Sequence, residues 1–161
     1  MIKIFYTKYK PYIISSIIAL AVGLISTLLT MGNMNLSAIK QPLLSPPAFL
    51  FPIVWTVLYI LMGISSAKIF EGRAQFPEEV RNALSTYASS LLVNFFWSII
   101  FFNFGAFVIA FLWIALLEFL IIKTIKEYFK IDKNAALLQI PYAVWVAFAG
   151  FLTLSIALLN R

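Results

Sequence analysis

The stretch Lys40-Gln41-Pro42-Leu43-Leu44-Ser45-Pro46-Pro47 runs, after Ala48-Phe49-Leu50, into Phe51-Pro52-Ile53-Val54-Trp55-Thr56-Val57-Leu58-Tyr59-Ile60-Leu61-Met62-Gly63, and this passage decides how the chain is read. A proline-rich elbow feeds an apolar helix. Proline is tolerated in the first turn of a helix, where its missing N–H has no intrahelical partner to lose. Residues four apart share a helix face, so Trp55 and Tyr59 project together. Aromatic rings fixed at one depth of an apolar span point to a site for a flat apolar ligand.

Outward from this passage the chain stays apolar. Of its 161 residues, 63% are hydrophobic and 11% charged, against about half and about a quarter in soluble domains. The excess lies in five blocks: Tyr12–Met31, Ala48–Ile69, Leu84–Phe102, Ala106–Ile125 and Ala135–Leu159. Each suffices to cross a hydrocarbon core, which takes roughly 20 helical residues. The expected fold is an all-α integral membrane protein, a single domain over 1–161 built as a five-transmembrane-helix bundle. The N-terminal lysines followed by an apolar run resemble a signal peptide. The run is too long for one and no small-residue cleavage pattern follows, so it reads as a membrane helix.

The net charge of +6 is distributed as a topology signal rather than as a nucleic-acid surface. Lys3, Lys8, Lys10, Lys68, Arg73, Arg81, Lys123, Lys126, Lys130 and Lys133 fall on one side of a five-span chain, leaving Lys40 and Arg161 on the other. Basic residues collect on the cytoplasmic side. The expectation is a multi-pass protein of a bacterial cytoplasmic membrane, N-terminus in and C-terminus out, with the basic face against anionic lipid. The chain has no Cys and no His. That excludes disulfides, thiolate chemistry, a His general base, the usual zinc sites and haem held by His or Cys.

Several constellations could carry function. The second span presents Trp55, Tyr59, Met62 and Ser66. The third presents Ser90, Asn94, Trp97 and Phe101 as one stripe, and an amide in mid-membrane is costly unless paired inside the bundle. The fifth presents Tyr142, Trp145 and Ala149, with Ala143, Ala147 and Gly150 as a second, all-small face that would admit close helix approach. Pro141 is expected to bend this span. Glu118 lies within the fourth span, where it either reaches back towards Lys123 or faces a cavity. Each feature alone has a plain structural reading: interfacial anchor, interhelical hydrogen bond or helix start. The short link Asn103-Phe104-Gly105 makes spans three and four antiparallel neighbours. Met31–Ser45 is the longest loop and would cover the mouth of the bundle.

Together these blocks resemble the translocator protein family (TspO, the peripheral-type benzodiazepine receptor, the tryptophan-rich sensory proteins). The first block is Pro42, Pro46-Pro47, Pro52, Val54-Trp55, Leu58-Tyr59 and Met62-Gly63. The second is Asn94 with Trp97-Ser98 and Phe101-Phe102. The third is Pro141-Tyr142, Trp145 and Phe148-Ala149. The resemblance spans nearly the whole chain. It implies a pocket beneath the first outer loop that takes protoporphyrin IX, related porphyrins and similar planar apolar ligands. The pocket residues it implies are Trp55, Tyr59, Asn94, Trp97, Tyr142, Trp145 and Ala149, under a lid containing Pro46 and Pro47. It implies no required cofactor, the porphyrin being ligand or substrate. Trp55 and Trp145 match two tryptophans tied to light- and oxygen-dependent porphyrin degradation in some bacterial members, and they would be catalytic only if that reaction occurs here. Homodimers are common in the family, and Ser85 and Ser89 give a small-residue spacing on the third span.

This chain departs from the pattern at several points. Leu44 replaces a frequent lid Trp, Gln41 a basic residue, Thr153 an Asn and Trp113 an acidic residue, while the sterol motif has no counterpart before Asn160-Arg161. These departures count against sterol binding. The expected function is therefore a membrane binding protein or sensor for porphyrins. The alternatives are a light-dependent porphyrin-degrading enzyme and a tetrapyrrole or lipid transporter. The scarcity of charged residues within the spans and the lack of an internal repeat count against the transporter.

Overall fold

The computed structural model describes residues 2–34 and 38–160, with side chains from Tyr9 onward. Lys3, Lys8 and Arg161 of the charge pattern lie outside the described side chains, as do Asn35 and Ser37 of the long loop. Among the described residues five α-helices make the fold: α1 (Ile2–Thr30), α2 (Leu50–Glu71), α3 (Pro77–Ser98), α4 (Phe107–Phe129) and α5 (Lys133–Leu159). All five contain a stretch long and apolar enough to cross a membrane. Large apolar side chains such as Ile17, Leu24, Leu112 and Val144 stand exposed on the outside of the bundle. A helix apolar on all sides is stable only where its outer face meets lipid.

The helices are longer than their apolar blocks at the basic end, because hydropathy falls where lysines begin while the backbone stays helical. α3 starts at Pro77, with Glu78 and Glu79 in its first turn, where carboxylates meet the positive end of the helix dipole. Asp132 caps α5 by accepting the Ala135 N–H at 2.8 Å and also pairs with Lys68 at 3.6 Å. Tyr12 donates to the Glu71 carboxylate at 2.7 Å. The start of α1, the end of α2 and the α4–α5 turn thus meet at one end. At the other end α2 begins at Leu50, later than Ala48, with Pro52 in its first turn. Pro46 and Pro47 precede it in a turn closed by Leu50 N–H to Pro47 O at 3.0 Å.

Neighbour contacts order the helices as a ring: α1 beside α2, α2 beside α5, α5 beside α4, α4 beside α3, and α3 back to α1. The tight α3–α4 link needs Gly105, whose φ of +58° favours a residue without Cβ. The expected small face of α5 is corrected: Ala147 is exposed and Ala143 only half-buried. Buried Val146, Gly150, Thr153 and Ala157 form the inward line instead, with Gly150 against Ile114 of α4. α5 continues as helix through Pro141.

Candidate functional site

Between α1, α2, α3 and α5 lies a cavity of about 850 Å³, roofed by the long loop. α4 contributes no lining residue; it buttresses α3 and α5 from outside. Cavities of about 300–1,000 Å³ are the size that takes drug-sized ligands.

Each wall has its own chemistry. α2 supplies Phe51, Pro52, Trp55, Thr56 and Tyr59, and α5 supplies Trp145, Ala149, Leu152, Thr153 and Ile156. Trp55 stacks on Tyr59 with centroids 5.5 Å apart, and Phe51 meets Trp145 edge-on at 5.8 Å. α3 supplies Asn94, Trp97 and Ser98. Asn94 Nδ2 donates to the Tyr59 hydroxyl at 3.0 Å, so the amide that looked costly in mid-membrane is paired across two helices. The pair fixes the ring on which Trp55 lies.

α3 runs directly into a π-helical turn, Ile99–Asn103. Phe101 and Phe102, both in this turn, line the cavity. Trp97 stacks on Phe101 at 5.3 Å, and Phe101 meets Phe102 at 4.9 Å. The Val93 carbonyl accepts from Trp113 Nε1 at 2.8 Å and the Phe95 carbonyl from Ser26 Oγ at 3.1 Å. Trp113 thereby ties α4 to α3.

Of the residues expected at the site, Trp55, Tyr59, Asn94, Trp97, Trp145 and Ala149 line the cavity. Tyr142 stands behind it, 1% exposed, its ring edge-on to Trp55 at 6.2 Å. It supports Trp55 rather than bordering the space. Pro46 and Pro47 do not border it either: Met34, Gln41, Ser45 and Ala48 are the residues between α1 and α2 that do. The prolines shape the lid while their neighbours face the cavity. Met62 and Ser66 lie buried below the cavity, as does Ser90, whose hydroxyl bonds the Tyr87 carbonyl at 2.7 Å. Glu118 does not pair with Lys123. Lys123 pairs with Glu127 instead, at 3.8 Å, and Glu118 lies outside the cavity with Oε2 enclosed and unpartnered.

The wall that sequence reading missed is α1. Gly23, Ser26 and Thr27 line the cavity with Leu20 and Leu24. Gly23 leaves room for the Tyr59 ring, which occupies the place of its absent Cβ. The available signal was a glycine and two hydroxyls inside an otherwise aliphatic span. Ile17, Leu24, Pro52 and Thr56 line the cavity and are exposed.

Residues 15–159 match the TspO/MBR family. The chain belongs to that family. Among its relatives are the tryptophan-rich protein TspO of Chlorobaculum tepidum, 36% identical over 77% of this chain and 78% of that one, and the protein CrtK of Rhodobacter capsulatus, 35% identical over 76% of each. The bovine translocator protein is 29% identical over 72% of this chain and 69% of its own length. For this TspO/MBR member, as for the fold, the resemblance drawn from the three sequence blocks holds.

Proposed function

We propose that this TspO/MBR protein binds porphyrins, protoporphyrin IX in particular, and similar planar apolar molecules in the lid-end cavity. The observation that carries the reading is the cavity itself: about 850 Å³, roofed by a loop and walled by Trp55, Trp97, Trp145, Phe51 and Tyr59. A macrocycle offers two large π-faces, and aromatic side chains provide stacking area with defined geometry. Its carboxylates would sit at the polar rim, beside Gln41 and Ser45 and near the exposed Lys40.

Titration with protoporphyrin IX in the dark, followed by Trp fluorescence, tests this. Saturable quenching is expected in the wild type and a weaker affinity in Trp55→Phe/Trp145→Phe. Unsaturable quenching in the wild type refutes the reading. Illuminating the same samples in air tests the enzymatic alternative, which requires pigment loss that the double variant abolishes while still binding. The proposed setting is a bacterial cytoplasmic membrane with the N-terminus inside. A C-terminal alkaline phosphatase fusion should be active, and an inactive one inverts the topology.

A further inference from the structure

Two asparagine clamps secure the long loop at the cavity end of the bundle. At its beginning, Asn103 Nδ2 donates to the Leu29 carbonyl at 3.1 Å, and Asn103 Oδ1 accepts from Asn33 Nδ2 at 3.0 Å. In its middle, Asn160 at the C-cap of α5 grips Lys40 twice. Asn160 Oδ1 accepts the Lys40 N–H at 3.0 Å, and Asn160 Nδ2 donates to the Lys40 carbonyl at 2.9 Å. The same Nδ2 donates to the Ile156 carbonyl at 2.9 Å, which orients the amide from its own helix.

The grip has a chemical requirement. Pairing with both the N–H and the C=O of one residue needs a donor and an acceptor side by side at short reach. Asn supplies both; Asp lacks the donor, and Gln carries the amide one methylene further. The Lys40 side chain takes no part in it. Beyond Lys40 the loop turns on itself, with Ser45 N–H to Pro42 O and Leu50 N–H to Pro47 O, both at 3.0 Å. This is the segment that carries Gln41, Ser45 and Ala48 to the cavity.

We propose that Asn160 is the latch of the lid, a positioning residue whose amide holds Lys40, and with it the segment from Gln41 to Ala48, over the cavity. It does not touch the cavity itself. With the latch released the loop remains tied at Asn33 and Asn103 and at the start of α2, but its roof is free to lift. Retention of any ligand beneath it then falls.

Limited trypsin digestion of the full-length protein in detergent, without ligand, reads the latch directly, because Lys40 is itself a trypsin site. The fragment pair split after Lys40 is identified by its disappearance in Lys40→Ala. The wild type should resist this cut. Asn160→Ala and Asn160→Gln should yield it roughly tenfold faster, the factor expected when hydrogen bonds of net worth near 1.4 kcal/mol are lost and cleavage follows the open population. An unchanged rate in a variant with a wild-type melting temperature overturns the proposal. Hydrogen exchange on the wild type alone gives an independent check should the variants fold poorly. The Lys40 amide should exchange slowly, and exchange as fast as an unbonded amide overturns the latch.

The consequence for retention rests on the porphyrin-binding reading. Protoporphyrin IX should dissociate severalfold faster from Asn160→Ala, and an unchanged dissociation rate overturns the lid's control of retention. If the wild type binds no protoporphyrin yet Asn160→Ala is cut faster, the ligand reading fails and the latch stands.

Discussion

The two ends of this bundle are built from the same helices on opposite principles. At the basic end small residues fit between large buried ones such as Ile69, Ile121 and Tyr128. Ala67, Ala83, Ala135 and Ala136 are fully buried there, and Gly63 of α2 lies against the Ser16 backbone of α1 with no room for a Cβ. At the lid end, rings hold the helices apart, and Trp55, Trp97 and Trp145 border a void. Lipid gives no hydrophobic drive for helix association, so contact rests on dispersion and interhelical hydrogen bonds. A void forfeits the dispersion of its lining atoms. The close-packed basic end therefore supplies the cohesion that lets the other end stay hollow.

The comparison breaks most easily at Gly63. Gly63→Val would drive a branched side chain into the backbone of α1, which cannot yield as a side-chain tip can. Overpacking of this kind costs about 3 kcal/mol. A large fall in the melting temperature of the detergent-solubilised protein is expected, with loss of folded yield at the extreme. A wild-type melting curve would show that the basic end is not the close-packed one.

Next in size is the polar tie between α2 and α5. Ser65 Oγ donates to the Ala135 carbonyl at 2.7 Å and accepts from Gln139 Nε2 at 3.1 Å, all within the buried core. Ser65→Ala strands the buried Gln139 amide, at about 2 kcal/mol, while the Ala135 carbonyl keeps its bond within α5. Because the tie is far from the lid, protoporphyrin affinity should stay at the wild-type value while the melting temperature drops. A parallel fall in affinity would mean that the two ends are not independent.

Gly23 sharpens the comparison from the other side. It is the place where tight packing and cavity meet, since the Tyr59 ring fills the position a Cβ would take. The ring is not free to move aside, being stacked on Trp55 and held by Asn94. Gly23→Ala should therefore displace the wall of the site. The expected result is roughly tenfold weaker protoporphyrin binding, equivalent to 1.4 kcal/mol, with a smaller change in melting temperature. Unchanged binding would place the ligand away from Tyr59.

Much of this organisation is legible in the amino-acid sequence, for a physical reason. A membrane span must satisfy its backbone internally, so length and hydropathy alone expose five helices. Trp, Tyr and Asn at helical spacing stand out against aliphatic residues, which is why the α2, α3 and α5 walls are readable. The α1 wall is not, because Gly23 acts by lacking a side chain and Ser26 by bonding the Phe95 carbonyl of another helix. The latch is hidden for a similar reason: Asn160 and Lys40 are far apart in sequence and meet through Lys40's backbone. A stripe drawn along one line of α3 assigns Trp97 and Phe101 to the cavity and passes over their neighbours Ser98 and Phe102, because the cavity is wide enough to take adjacent residues.

The smallest effect on the bundle is expected on the outer face of α3, where Ser85 and Ser89 are exposed and the Ser89 hydroxyl donates only to the Ser85 carbonyl at 2.9 Å. Neither touches the cavity or the close-packed end. Ser85→Leu/Ser89→Leu should leave the melting temperature and protoporphyrin affinity within the scatter of surface substitutions, about 0.5 kcal/mol. Homodimerisation through α3 would bring two such faces together, and small residues allow the backbone approach that Leu forbids. Light scattering on the solubilised protein is then expected to give a dimer for the wild type and a monomer for the double variant. An unchanged dimer would move the contact to another helix, and a destabilised monomer would mean that this face belongs to the fold after all.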